Sequence, residues 1–459
     1  MIRNEITSDP VLIDRLFHSA YSTIRNHPFS PFKTGEKMAS VDTAWLRMEH
    51  STNLMMINGL MMFKERLDMP RLRQILIDRL MSHDRFRQIA ADPLGSPRWV
   101  PDPDFHPDNH LQTIGLPAPY GKAELEQAVS DIMSSPLDVS RPLWKVFHVD
   151  NYEGGSALIF KFHHCLGDGI ALIRLLLSVT DEEEAEHNFT PSGGTTGRRN
   201  NQIVDRAAGP GDIPRVLASA LKIGLMPRDL DTPFRGQLGV RKSAKWSDAI
   251  PLEHFKQIGQ NNNATLNDVL LTILTGAIRS YLLHHDIDLN AGGIRVTVPV
   301  NLRREGKDPL LGNRFGLVFM ILPVTLPTFA ERLEAVKAEM DRIKKSHEAV
   351  AALGILKLMG NLPLVMEDML VDYLSSKVTA VVTNVPGPLK KLHLAGSTID
   401  KMMFWVPKTG ALGLGISLFS YAGEVMVGLS ADRGLVPDPD RLIGFFNSEL
   451  ISVTGLPVE

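Results

Sequence analysis

An apolar run, Leu158 to Phe162, interrupted only by Lys161, ends in His163-His164-Cys165-Leu166-Gly167-Asp168-Gly169. That order predicts a strand, Ala157 to His164, running into a glycine turn. Gly169 then opens an apolar helical pattern, Ile170 to Val179. The segment is a βα unit that gathers two imidazoles and a carboxylate at the strand's C-terminal end. Gly167 and Gly169 permit tight backbone geometry, and Asp168 can pair with an arginine to hold the loop in shape.

Side chains alternate across a strand, so His163 and His164 face opposite ways if the strand continues through them. His164 shares its face with Phe162, Phe160 and Leu158, which directs it toward an interior. There it either meets a partner in a packed core or lines a tunnel. Two imidazoles that point apart cannot ligate one ion, and no second Cys/His cluster exists, so no metal site is predicted. A Cys165–His164 nucleophilic pair fails on the same geometry. The chemical reading is therefore His164 as a lone general base acting on a bound hydroxyl or thiol, since imidazole titrates near neutrality.

The 459 residues allow two to three domains. Hydrophobic residues at 44% and charged residues at 22% describe a globular chain, and a net charge of -3 gives no electrostatic reason for a nucleic-acid partner. Cys165 is the single cysteine, so no internal disulfide can form, which fits a reducing compartment. Met1 to Pro10 is polar, without the apolar core of a secretory signal, and no stretch reaches the ~18 consecutive apolar residues of a membrane span.

Along the chain, the first ~35 residues read as a loosely packed arm. Met55 to Phe63 reads as a buried strand, and Asp68 as the cap of a helix with Leu72, Ile75, Leu76 and Leu80 on one face. Trp99 to Phe105 reads as a proline-punctuated loop, Lys122 to Ser134 as a helix and Leu143 to Val149 as a strand. Acidic Asp181 to Glu186 and the Gly/Thr/Ser-rich stretch after Pro191 mark 181–210 as a linker between domains at 1–180 and 211–459. Beyond it come a basic amphipathic helix, Val216 to Met226, a long helix, Leu266 to Leu283, capped by Thr265, and alternating strands and helices. The fold class is α/β (α+β) in two domains.

The motif resembles the HHxxxDG signature of coenzyme A-dependent acyltransferases. Leu137-Asp138 with Arg141-Pro142-Leu143-Trp144, Leu266-Asn267-Asp268-Val269, Val298 to Arg303 with Gly312-Asn313, and Thr383 to Pro388 narrow the resemblance. Together with Val41-Asp42 and Trp99 to His110, they are similar to the bacterial wax ester synthase/diacylglycerol acyltransferase family from about residue 40 onward. The resemblance implies two chloramphenicol-acetyltransferase-like domains around a central channel. It implies acyl transfer from a fatty acyl-CoA, a co-substrate rather than a cofactor, to a long-chain alcohol or diacylglycerol. His164 is then the base and Asp168 a structural residue. His163, Gly169, Pro142, Leu143, Trp144, Asn267 and Asp268 support the site, and Asn267 and Asn384 are candidate oxyanion donors. Gly354 and Trp405 are implied to lie in a substrate pocket. The setting implied is cytoplasmic, with peripheral contact at the inner membrane or lipid bodies. Two other readings are a condensation-type enzyme using carrier-bound acyl groups and a non-catalytic lipid-surface protein.

Overall fold

Nine consecutive residues, Gly155–His163, form a strand buried on both faces, which large apolar side chains on alternate positions make favourable. The computed structural model that shows this describes residues 35–92, 96–181, 212–303 and 311–455. Lys161, buried in the same strand, gives its Nζ protons to the carbonyls of Ile132 and Ser135, at the C-terminal end of helix Lys122–Ser134. The strand pairs antiparallel with Met56–Phe63 on one side and Trp144–Tyr152 on the other. The sheet is completed by Ser397–Trp405 with His393–Leu394 beyond Met56–Phe63, and by Leu111–Ile114 at the opposite edge.

A second sheet runs Phe315–Leu322, Ile294–Asn301, Ala380–Pro386, Leu414–Tyr421, Glu424–Asp432 and Lys242–Trp246, with Ile250–Pro251 also on Glu424–Asp432. Its core includes residues of helices Leu266–His284 and Pro439–Thr454, which pack on one another. The Leu266–His284 helix starts on a reciprocal cap, Thr265 Oγ1 accepting from Asp268 N and Asp268 Oδ2 from Thr265 N. By length and composition this helix could cross a membrane, but 72% of its most apolar window is buried inside the protein. It is a core helix.

The mixed α/β, two-domain architecture is the one anticipated. The division of the sheets, however, does not follow chain order. Ser397–Trp405 comes from the second half yet pairs residue by residue with Met56–Phe63 of the first. Asp181, at the start of the anticipated linker, is held in place: its N–H donates to His393 O, and its carboxylate accepts from Gly396 N and Arg71. The remainder of 181–210, and the N-terminal arm up to residue 34, lie outside the described residues.

Most element bounds agree with the periodicity within two or three residues, helix Lys122–Ser134 to the residue. Trp99 to Phe105 is a correction. Arg98–Pro101 is the middle strand of a small sheet with Glu36–Lys37 and Gln88–Ala91, and Trp99 is buried. Pro97 and Pro101 bound that strand rather than break it, which leaves the N–H groups between them free to pair.

Helix Glu348–Met359 ends at Gly360, against the start of helix Ser40–Arg47. A Cβ on Gly360 would lie 1.6 Å from Ser40 O. Gly360→Ala should therefore destabilise the protein by about 1–3 kcal/mol. Urea unfolding reads this directly, and an unchanged midpoint would show that the helix contact yields freely.

Candidate active site

The motif strand stops at His163, and His164–Leu166 form a single 3-10 turn. The two imidazoles part company there. His163 turns into the protein, its Nδ1 accepting the Cys165 N–H at 3.1 Å and its Nε2 lying 2.9 Å from Glu49 Oε2. Glu49 also accepts the Met55 N–H, so this pair fixes the strand end and the adjoining strand together. Cys165 is fully buried, and burial pushes its thiol pKa up, the opposite of an activated nucleophile.

His164 lines a large cavity. Its ring stacks on the indole of Trp45, with centroids 3.8 Å apart and planes 18° from parallel, and lies 5.7 Å from Phe315. Nδ1 is buried without a hydrogen-bond partner. Burial drives the imidazole pKa down to about 4, against the raising influence of the Asp168 carboxylate and its own carbonyl. The ring is therefore neutral at physiological pH, the form able to accept a proton.

Asp168 does not face the chemistry as a base. It caps helix Gly169–Ser178, with Oδ1 accepting from Ala171 N at 3.0 Å. Arg303 is the arginine that holds it: Nη1 lies 2.7 Å from each carboxylate oxygen, and Oδ2 also accepts from Arg314 N. Arg303 Nη2 bonds Gly312 O, and Gly312 N donates to Leu166 O. The motif loop is thus stitched to the segment carrying Gly312, Asn313 and Arg314. Asn313 completes the seam, its Nδ2 donating to the His164 carbonyl and to Asp42 Oδ1, each at 2.8 Å. Asp42, buried, has its pKa raised to about 6 by desolvation, with the Asn313 hydrogen bonds pulling the other way.

The cavity holds about 1320 Å³ of empty space, its open mouth included. Its walls are mainly aliphatic and aromatic. The first half contributes Trp45, Met48 and Ile170 around His164, and the second contributes Phe315, Leu317, Val385 and Phe404.

The remaining anticipated residues fall into three groups. Pro142, Leu143 and Trp144 are buried behind the motif strand: Leu143 O accepts the His163 N–H, and Trp144 stacks on His110 and gives its indole N–H to Phe86 O. Asp268 is the helix cap already described, and Asn267 lies behind Asn384, its Oδ1 accepting from Asn384 Nδ2 at 2.7 Å. Asn384 lines the cavity and Asn267 does not. Gly169 lines the cavity at the start of the motif helix.

Gly354 and Trp405 are corrections. On helix Glu348–Met359 the cavity face is Ala352, Ile355, Leu356 and Met359, at helical spacing, and Gly354 lies on the opposite, exposed side. Trp405 is buried against Trp246, and its neighbours Phe404 and Val406 line the cavity instead. Trp45 and Glu49 were not singled out from the sequence. Their signal is the spacing Asp42, Trp45, Glu49, which places three large groups along one short helix and its end, beside the matched Val41-Asp42.

Two family models match the chain. The wax ester synthase/diacylglycerol acyltransferase catalytic domain matches residues 38–270, and the WS/DGAT C-terminal domain matches residues 311–453. The chain is similar to "Probable diacyglycerol O-acyltransferase tgs1" of Mycobacterium tuberculosis (strain H37Rv), 28% identical over 388 residues covering 80% of this chain and 84% of that protein. It is also similar to "O-acyltransferase WSD" of Acinetobacter baylyi, 25% identical over 448 residues, 91% of this chain and 96% of that protein. The solved wax ester synthase/diacylglycerol acyltransferase from Marinobacter aquaeolei VT8 shares the fold, with a TM-score of 0.68 at 23% identity, covering 92% of this chain and all of that one.

Removing Arg303 would strand the Asp168 carboxylate in a buried site. Arg303→Ala should cost about 3–5 kcal/mol, and Arg303→Met combined with Asp168→Asn should recover much of that. Thermal unfolding of the two variants checks this, and equal stability of Arg303→Ala and the parent would contradict the latch.

Proposed function

The chain belongs to the wax ester synthase/diacylglycerol acyltransferase family, and from that premise we propose that it moves a fatty acyl group from acyl-CoA to a long-chain alcohol or to diacylglycerol. The observation that supports the reading is the position of His164, a neutral imidazole on the wall of an apolar cavity. Acyl-CoA is a co-substrate, and the residues around His164 supply the chemistry without a cofactor in this reading.

The reaction runs in a ternary complex. As the alcohol oxygen attacks the thioester carbonyl, His164 Nε2 takes the hydroxyl proton. The tetrahedral intermediate collapses by breaking the C–S bond, and the imidazolium returns the proton to the departing thiolate sulfur. Stacking on Trp45 and the Asn313 bond to the His164 carbonyl hold ring and main chain in register for both transfers. Asn384 is the better placed of the two candidate oxyanion donors. One of its amide protons is spent on Asn267, which leaves a second to meet the developing charge at the cavity wall.

A condensation-type reaction on carrier-bound acyl groups would use the same fold. The match to both domains of the wax ester synthase/diacylglycerol acyltransferase family favours free acyl-CoA as donor. Within the apolar pocket, Ala352 and Leu356 occupy the positions from which chain length would be selected.

Free-thiol release from palmitoyl-CoA with hexadecanol or diolein is the direct assay. His164→Ala should lower turnover by about 10²- to 10⁴-fold with an unchanged circular dichroism spectrum, and a wild-type rate would refute the assignment. Because burial lowers the pKa of His164, the base is lost only as pH falls toward about 4. The acid limb of kcat/KM should lie near that value, whereas a limb at the ordinary histidine range, near 6.5, would mean the working base is a solvated group.

A further inference from the structure

In the proposed reaction His164 takes a proton and becomes an imidazolium inside the protein, where an unmet positive charge is strongly disfavoured. A catalytic histidine that works beside an aspartate has this charge met by a carboxylate bonded to its second ring nitrogen. His164 has no such partner, since its Nδ1 is buried without a hydrogen bond. The carboxylates of the surrounding elements are committed elsewhere. Asp168 is latched to Arg303, Asp42 accepts from Asn313, and Glu49 meets His163. Burial disfavours the cation most. Asp168 favours it with a charge already shared with Arg303, and His163 opposes it. On the helix that faces the ring, Arg47 points away, toward the carbonyl of Leu362.

What does face the ring is an indole. Trp45 lies with its centroid 3.8 Å from that of His164 and its plane 18° from parallel. Indole has the strongest cation-binding π face of the protein side chains, and a cation over that face within about 6 Å of the centroid is attracted to it. An imidazolium at His164 would sit well inside that range. Trp45 is also held in place. Its helix, Ser40–Arg47, packs on the turn His164–Leu166, Asp42 of the same helix bonds Asn313, and the Phe315 ring lies 6.0 Å from the indole.

Packing alone does not call for tryptophan at this position. Buried indole N–H groups ordinarily find an acceptor, yet Trp45 Nε1 is buried without a hydrogen-bond partner. A phenylalanine or leucine would fill apolar space without leaving a donor unmet. The orphan N–H is a cost that accompanies the richest π face available, placed on the one side chain that gains a charge during turnover.

We propose that Trp45 is the counter-group of the catalytic base: its π face stabilises the His164 imidazolium that exists between deprotonation of the alcohol and protonation of the departing thiolate. No bond forms to the indole, and the proton stays on the imidazole until sulfur takes it. Trp45 is a positioning residue that acts through His164, by electrostatics as well as by holding the ring. The inference rests on the reading of His164 as the base.

The test replaces Trp45 alone, in the full chain, by mono-, di- and trifluorotryptophan. Each fluorine withdraws electron density from the π face while nearly preserving the shape of the ring. Single-turnover thiol release from palmitoyl-CoA is then measured with saturating hexadecanol at neutral pH. The logarithm of the rate should fall in step with the number of fluorines, by about ten- to thirtyfold across the series. The palmitoyl-CoA concentration for half-maximal rate and the thermal midpoint should stay at the parental values. Trp45→Phe should fall between the parent and Trp45→Leu. A rate that is flat or rises with fluorination would overturn the proposal, because a purely structural stack does not depend on π-electron density. His164→Ala in the same assay separates the two readings. If that variant keeps the parental rate, the base assignment itself fails; if it is inactive while the fluorine series is flat, the base stands and the role of Trp45 falls.

Discussion

A single buried carboxylate holds the candidate site together. Asp168 takes two hydrogen bonds from Arg303, one from Arg314 N and one from Ala171 N, and so joins the motif loop, the helix behind it and a segment from the other half of the chain. A carboxylate so deep in protein is tolerable only because its lone pairs are met by charge and oriented N–H groups. The bond costs flexibility at that point and gives the adjacent His164 a fixed backbone. The parallel bridge between Gly167 and Gly312 and the Asn313 bond to the His164 carbonyl extend the same seam. The position of His164 is thus set by contacts between segments more than a hundred residues apart.

His164 gains its character from what surrounds it rather than from its own strand. Trp45 covers one face of the ring, Phe315 lies near it, and desolvation outweighs the Asp168 charge. The ring stays neutral where a surface histidine would be partly protonated. In the proposed reaction a lowered pKa makes a weaker base, which exclusion of water from the attacking hydroxyl in an apolar cavity would offset. His163, one residue earlier, has the reverse setting, closed off from the cavity and paired with Glu49. Adjacent identical residues have diverged in role because the strand ends between them.

Local features were legible in the sequence. The βα unit, the Asp68 and Thr265 caps and the separation of the two imidazoles follow from short-range pattern, because caps and periodicity act within a few residues. That Asp168 would need an arginine was also readable, though not which one from spacing alone. What the sequence hid depends on long-range packing. Ser397–Trp405 reads as an ordinary strand of the second half and joins the first sheet because its partner edge is there. Gly354 looked like room for a chain, but its helix turns that glycine outward and presents Ile355 and Leu356 to the cavity. Trp45 is a lone tryptophan on a short helix until the fold lays it on His164.

The account turns on direct transfer between two bound substrates, with the imidazole carrying only the proton. Rapid-mix measurement of coenzyme A released from palmitoyl-CoA in a single turnover, with and without hexadecanol, tests this most directly. Direct transfer predicts essentially no thiol until the alcohol is present, then one equivalent per site. A stoichiometric burst of thiol in the absence of alcohol, with the acyl group retained on the protein, would contradict it.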